Sequence, residues 1–416
     1  MRNRNALLLF SALSLGLFSC QKENIVESHK ADSIATSNSS SEIGSTIPNQ
    51  YIVQLHENNL KSLLLGVTDY SAKTKLAYDQ IQLLLQSVPN AEEIEILNVY
   101  SSSIYGFAAK LSAEQLDAVS KLPAVKLIEQ DMVMGLSAMD EGGRSNQKAD
   151  QAPYGIQRTG YANGSGKRAY VIDSGIDLDH PDLNVNQELG KNFVNTGCGL
   201  LGILFGCPDG GQGSPDDDNG HGSHCAGTIA GKSNGIGVLG VAFNAEVVPV
   251  KVLNAAGTGS NSGVIQGVDY VANNGRAGDV ANMSLGGGVS SQLDQAVIAA
   301  AKKGILFALA AGNDSQNSNN SSPARANHAN IFTVSAMDAN DRFASFSNFG
   351  NPPVDYCAPG VSVYSTYSNG QYRTLSGTSM AAPHVAGLLL LKGVNIATDG
   401  FVKNDPDGNA DPIAHL

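Results

Sequence analysis

From residue 169 onwards the chain repeats one pattern that few folds can accommodate. Short runs of β-branched and small apolar residues at 169–172, 247–253, 280–284 and 305–310 alternate with stretches of helical spacing at 263–272 and 292–303. Strands joined through helices must run parallel, because a long crossover is what returns the chain to the same end of a sheet. The pattern therefore predicts an α/β domain, a mostly parallel central sheet with helices on both faces. The helix at 292–303 ends in Lys302 and Lys303 before Gly304, placing cations at the negative end of the helix dipole and a residue tolerant of a left-handed turn. With 46 glycines and only 15 % charged residues in 416, the composition suits tightly turned, closely packed elements rather than a solvated chain.

Upstream the periodicity changes. Residues 51–55 read as a strand, 76–88 as an amphipathic helix, 94–111 as two strands or a hairpin, and 125–128 as a last strand. Ser112 and Gln115 form a capping-box pair that opens a helix over 113–122. That order, β-α-β-β-α-β, predicts a small α+β unit of ferredoxin-like arrangement over 48–136. Residues 21–47 are rich in Ser, Asn and Thr and read as a flexible linker. Residues 137–148 read as an exposed processing linker, with cleavage expected between Glu141 and Lys148. The larger domain is expected over 149–395, followed by a short tail at 396–416.

Arg2 and Arg4 precede an apolar stretch at 6–18, an export signal too short to remain as a membrane span. Its end, Leu17-Phe18-Ser19-Cys20, resembles the lipobox of bacterial lipoproteins, which would place a lipid on Cys20. An ordinary signal peptide cut near the same point is the alternative. Export implies an oxidising setting, and Cys198 and Cys207 bracket a short apolar loop, so they are the expected disulfide pair. Cys225 and Cys357 are expected to stay free. The net charge of -12 comes without a basic stripe, which argues against nucleic acid as a partner. Apart from a lipid on Cys20, no membrane contact is expected, and the protein is read as a monomer.

Three segments place reactive side chains where a parallel sheet exposes them. Val171-Ile172-Asp173-Ser174-Gly175 sets a carboxylate at the carboxyl end of a strand. Asn219-Gly220-His221-Gly222-Ser223-His224 sets an imidazole at a turn entering a helix of small residues. Ser376-Gly377-Thr378-Ser379-Met380-Ala381-Ala382-Pro383 sets a hydroxyl in the first turn of another helix, where Pro383 is tolerated. A hydroxyl, a base of near-neutral pKa and a carboxylate are the requirements of nucleophilic acyl transfer.

Their order, Asp then His then Ser, is that of subtilisin and not of α/β-hydrolases or chymotrypsin-like enzymes. Residues 152–392 resemble the subtilase family, in its proteinase K-like variety, through His221-Gly222-Ser223-His224-Cys225-Ala226-Gly227-Thr228, Asn282-Met283-Ser284-Leu285-Gly286-Gly287 and Gly377-Thr378-Ser379-Met380-Ala381-Ala382-Pro383-His384-Val385-Ala386-Gly387. Residues 50–128 resemble the family's inhibitory propeptide. The resemblance implies a serine endopeptidase made as a self-inhibited precursor, acting on polypeptides through Asp173, His221 and Ser379. It implies Asn313 as the side-chain donor to the oxyanion, beside the Ser379 backbone N–H. It also implies that Gly257, Thr258 and Gly259, with Ser284, Leu285 and Gly286, flank the substrate, which would add as a strand. The S1 walls would be Leu285, Gly286, Ala311 and Gly312, uncharged residues that suit an apolar or aromatic P1 side chain. Structural calcium is implied, with Asp355 and the carbonyls of Ala329 and Ile331 as ligands.

Other residues have plainer readings. His224 and His384 are expected to be packing or hydrogen-bonded residues, and Cys225 a buried thiol rather than a nucleophile. Asp216-Asp217-Asp218 offers a second calcium candidate, with a solvated acidic turn as the plainer reading. Asp405, Asp407, Asn409 and Asp411 fail as an EF-hand, since a glycine stands fourth and no bidentate Glu follows. A catalytically silent scaffold is the competing class; the intact Asp173, His221, Asn313 and Ser379 argue against it.

Overall fold

The computed structural model describes residues 42–142, 149–194 and 213–416. Cys20, Cys198 and Cys207 lie outside these residues, so the lipid and the disulfide do too.

The N-terminal unit runs β1 (Thr46–Leu55), α1 (Tyr70–Leu85), β2 (Glu95–Tyr100), β3 (Gly106–Lys110), α2 (Ala113–Ser120) and β4 (Val125–Gly135). Ser112 accepts from the Gln115 N–H while the Gln115 side chain accepts from the Ser112 N–H, so the capping box forms. Helix α1 begins six residues before the expected start because Asp69 caps it, accepting from the Ala72 N–H at 2.8 Å. The four strands pair antiparallel in the order β4, β1, β3, β2. Strand β4 does not stop at residue 128 as expected. It continues to Gly135, leaving its own unit and entering the next.

After β5 (Met139–Gly142), the larger domain contributes β6 (Arg168–Asp173), β7 (Lys191–Asn192), α3 (His221–Ala230), β8 (Glu246–Lys251), β9 (Thr258–Ser260), α4 (Asn261–Asn274), β10 (Val280–Met283), α5 (Ser291–Ala301) and β11 (Leu306–Ala310). It finishes with β12 (Ile331–Met337), β13 (Val354–Pro359), β14 (Val363–Tyr367), β15 (Gln371–Ser376), α6 (Thr378–Lys392), β16 (Ala397–Phe401) and β17 (Pro412–His415). Among the described residues, nine strands form the central sheet in the order β16, β17, β13, β12, β11, β10, β6, β8, β7, and every pairing except β16 with β17 is parallel. Residues 396–416 are thus no separate tail, because β16 and β17 complete the sheet.

Burial follows from that layering. Ala169, Tyr170, Val171 and Ile172 of β6 are all fully buried, as a strand covered on both faces requires. Val264, Val268, Val297 and Ala300 of α4 and α5 pack with Tyr170 and Val250 on one face, whereas Ile229, Met380, Val385 and Leu389 of α3 and α6 pack with Val171 and Ala308 on the other. The N-terminal sheet lies on the outside of α4 and α5: Ile52, Leu97, Tyr100 and Ala108 join the first of these clusters. Its carboxylates complete the joint. Glu129 accepts from the N–H groups of Ser291 and Gln292 at the start of α5, and Asp131 from the Ser262 N–H at the start of α4. Both stand where a helix dipole favours negative charge. In return, Asp269 of α4 accepts the N–H groups of Ser101, Ser102 and Ser103 at 3.0, 2.8 and 2.6 Å.

Candidate active site

Strand β6 ends at Asp173, which is fully buried, and His221 opens α3 beside it. His221 Nδ1 lies 2.9 and 3.0 Å from the two Asp173 carboxylate oxygens. Two glycines allow this approach. Gly220 has φ +109, and a Cβ there would strike the Tyr367 ring at 2.2 Å; a Cβ on Gly222 would meet the Gly175 carbonyl at 2.0 Å. Burial by itself would depress the His221 pKa, but the Asp173 charge and hydrogen bond, with Cys225 contributing, outweigh it and hold the imidazole well above its ordinary value.

Asp217, expected to be a solvated turn residue, is 5 % exposed and organises this corner. Its Oδ1 accepts from the Ser174 hydroxyl at 2.9 Å and the Gly220 N–H at 2.8 Å, and its Oδ2 from the Ser223 N–H at 2.9 Å and hydroxyl at 2.7 Å. Ser174 Oγ accepts in turn from the Gly222 N–H at 3.0 Å. Lys251 donates to the Ser174 carbonyl and to Asp218 Oδ1, each at 2.5 Å. The carboxylate thus ties the end of β6 to the first turn of α3. Three consecutive aspartates hide in the sequence which one turns inward; an acidic residue shortly before a helix of small residues is the one signal available.

Ser379 is the second residue of α6, and Pro383 lies past the first turn, not within it as expected. Proline has no N–H, so the Ser379 carbonyl four residues earlier loses its helical partner. Two side chains replace it: the Ser284 hydroxyl donates at 2.8 Å and the Cys225 thiol at 3.5 Å. Cys225 is therefore a buried prop under the helix. Burial pushes its thiol pKa up, away from nucleophilic chemistry. Ser379 Oγ donates to the Ser284 carbonyl at 3.1 Å, and the buried His221 Nε2 has no partner.

The segment leaving β4 passes through this site. β9 pairs antiparallel with residues 133–135, the Leu136 N–H donates to the Gly257 carbonyl at 3.1 Å, and Gly135 exchanges both backbone bonds with Gly286 at 3.0 and 3.1 Å. The flanks expected around a substrate strand, Gly257-Thr258-Gly259 and Ser284-Leu285-Gly286, thus hold the chain's own residues. Asn313 Nδ2 donates to the Ser137 carbonyl at 2.9 Å, while Asn313 Oδ1 is held by the Thr378 N–H and hydroxyl at 2.8 and 2.9 Å. Beyond Ser137, Met139 pairs with Ser376 on β15, and Arg373 binds Asp140 while Ser376 binds Glu141. The peptide bond presented to Asn313 and the start of α6 is therefore Ser137–Ala138. The segment 141–148, expected to contain the cut, lies downstream of it. A cavity of about 460 Å³ opens beside Ser137 and Ser379, lined by Leu285, Gly286, Ala310, Gly312 and Ala324 among others. Ala311, the fourth expected wall, is fully buried next to Gly312.

His224 bonds the carbonyls of Val363 and Arg373 through Nε2, and His384 that of Met380 through Nδ1. Burial lowers them to about 3 and about 4, so both are neutral packing residues. Cys225 and Cys357 are free and buried. Asp355, second in β13 against β12 and exposed overall, accepts the Thr333 N–H at 2.9 Å, and the packing around its carboxyl pushes it up to about 6. A cation beside it would favour the charged form. Asp173, His221 and Cys225 bring three ligand-type atoms within 4.8 Å of one another, but the histidine–carboxylate bond already accounts for that grouping. No helix among the described residues is long and apolar enough to cross a membrane.

A buried carboxylate–imidazole pair, a serine at a helix start and an amide aimed at a peptide carbonyl define a serine protease on an α/β sheet. Residues 165–394 match the model of the subtilase family, and residues 50–137 that of peptidase inhibitor I9. The chain is 38 % identical over 339 residues to the alkaline serine exoprotease A of Vibrio alginolyticus, covering 76 % of this chain and 59 % of that one. It is 38 % identical over 367 residues to an alkaline protease of Alkalihalobacillus alcalophilus, covering 86 % and 85 %. A cold adapted subtilisin-like serine proteinase of known crystal structure aligns with a TM-score of 0.54 at 36 % identity, over 64 % of this chain and 98 % of that one. The chain belongs to the subtilase family, with an I9-type inhibitor unit preceding the peptidase domain.

Proposed function

We propose that this subtilase is an exported endopeptidase that matures by cutting its own Ser137–Ala138 bond and then hydrolyses other polypeptides, preferring apolar or aromatic residues at P1. The observation that carries this reading is the Asn313 amide on the Ser137 carbonyl, with residues 133–136 clamped between the two flanking segments. Ser379 Oγ turns from the Ser284 carbonyl to His221 Nε2, passes its proton there and bonds the Ser137 carbonyl carbon. The oxygen that gains charge accepts from Asn313 and the Ser379 N–H. His221 returns the proton to the Ala138 nitrogen as the C–N bond breaks, and water then releases the Ser137 carboxylate. Asp173 holds the imidazole tautomer throughout.

After the cut, the pairing of β4 with Gly286 and β9 keeps the N-terminal unit in the cleft as an inhibitor until it is degraded. Export rests on the signal-like residues 1–20. Where Cys20 carries a lipid, it lies upstream of Ser137, so cutting also releases the peptidase from the anchor. Calcium on Asp355 with the carbonyls of Ala329 and Ile331 is part of the same proposal, as a structural ion. A fluorophosphonate probe should label the mature enzyme and leave Ser379→Ala unlabelled; equal labelling of both would overturn the mechanism. Peptides with Phe or Leu at P1 should be cleaved with kcat/KM at least about tenfold above those with Arg. A preference for Arg would overturn the specificity.

A further inference from the structure

Strand β5 carries the chain away from the Ser137–Ala138 bond along the edge of β15, and β14 pairs antiparallel with the other side of β15. Residues past that bond thus form the third strand of a small sheet, in the place that the amine-side half of a bound polypeptide would take. Met139 stands opposite Ser376, Asp140 opposite Leu375 and Gly142 opposite Thr374. Counted from the bond, Ala138 is P1′, Met139 is P2′ and Asp140 is P3′.

The partner of Asp140 follows from that register. Side chains two residues apart on a strand share a face, so Arg373 is the diagonal neighbour of Asp140 across its pairing with Leu375, within reach of a long side chain. Arg373 Nη1 bonds the Asp140 carboxylate. The guanidinium is held independently of that carboxylate: its Cζ lies 4.4 Å from the centroid of the Tyr367 ring, and its side chain is 23 % exposed against 45 % for Asp140. Tyr367 is packed in turn against Gly220, and His224 Nε2 bonds the Arg373 carbonyl at 3.2 Å. The cation therefore stands in place before an acidic side chain arrives, which lowers the ordering cost of binding one. Glu141, by contrast, meets hydroxyls, those of Ser376 and, at 2.6 Å, Ser362, which a neutral polar side chain can bond as well. In a chain of net charge -12, Arg373 puts a positive charge on the rim where the substrate leaves the cleft.

We propose that Arg373 is a specificity residue that selects Asp or Glu at P3′ of a polypeptide substrate. The inference rests on the Ser137–Ala138 register proposed above. An ion pair half open to solvent contributes modestly and is screened by salt, so the preference is a few-fold and falls as ionic strength rises.

Quenched fluorescent peptides of one sequence, carrying Asp, Asn or Lys at P3′, test this with the mature enzyme, the cut in each peptide being located by mass spectrometry. Within one enzyme, the ratio of kcat/KM for the Asp and Lys peptides cancels any general effect of a substitution. That ratio should be about three- to tenfold in the wild type at low salt, fall to about one in Arg373→Gln and invert in Arg373→Glu. A ratio near one in the wild type, or an undiminished ratio in Arg373→Gln, would overturn the proposal. Should the Arg373 variants fail to mature, the Asp-over-Asn ratio of the wild type decides: it should fall at least about twofold between about 0.05 and 1 M NaCl. A ratio independent of salt would overturn the proposal equally. Moving the Asp through P1′ to P5′ separates the proposal from the register beneath it. An Arg373-dependent preference centred on P2′ or P4′ would overturn the P3′ assignment and the Ser137–Ala138 register together, whereas no Arg373-dependent preference at any position would overturn the role of Arg373 alone.

Discussion

Asp173 and His221 are buried together, so the carboxylate governs both the orientation of the imidazole and its proton affinity. Burial disfavours the imidazolium, and the adjacent carboxylate more than compensates, leaving the pKa raised. The base must be neutral to accept the Ser379 proton, so kcat/KM should rise with pH through a limb above about 6.5. Replacing Asp173 with Asn removes the charge that stabilises the imidazolium and offers an amide donor to the wrong tautomer. The pH–rate profile of Asp173→Asn should therefore shift its limb to lower pH, with kcat down on the order of 10⁴-fold. An unmoved limb would show that Asp173 does not set the titration. At this scale the sequence was most informative where geometry demands one residue type, as at Gly220 and Gly222. It said little about Asp217, because burial of one aspartate among three depends on how the β6 and α3 ends meet.

Helix α6 shows how one missing backbone donor is offset by side chains from other elements. Pro383 leaves the Ser379 carbonyl without its helical hydrogen bond, and Ser284, just beyond β10, supplies the replacement. The Ser284→Ala enzyme should lose about 1–3 kcal/mol of stability, the cost of a buried acceptor left with only a thiol. Its kcat should fall roughly 10- to 100-fold, since the helix start that carries the nucleophile is no longer pinned. Thermal unfolding and steady-state kinetics measure both, and unchanged Tm and kcat would refute this role for the hydroxyl. The element order of both units was readable from period and capping residues, as Ser112 with Gln115 illustrates. The boundaries were not readable where long-range contacts decide them. Strand β4 runs seven residues past Ile128 because Gly286 and β9 offer it partners, and β16 and β17 form because β13 offers an edge. Neither partner is local in sequence.

At the scale of the whole molecule, the N-terminal unit is attached at two regions. Its sheet covers α4 and α5, where Glu129 and Asp131 bond the helix starts, and its last strand fills the substrate cleft. On the proposed mechanism, the same chain segment serves as scaffold, inhibitor and first substrate. Composition and motif order reveal the two-unit plan, but a strand lying between two glycine-flanked edges can slide by a residue without changing any sequence pattern. That is why the sequence alone places the cut at 141–148 and the structure presents Ser137–Ala138. Mass spectrometry of the earliest processed species, with the Ser379→Ala chain alongside, tests this most directly. The first new N-terminus should be Ala138, and Ser379→Ala should remain uncut. A first cut after Glu141, or normal processing of Ser379→Ala, would contradict the account.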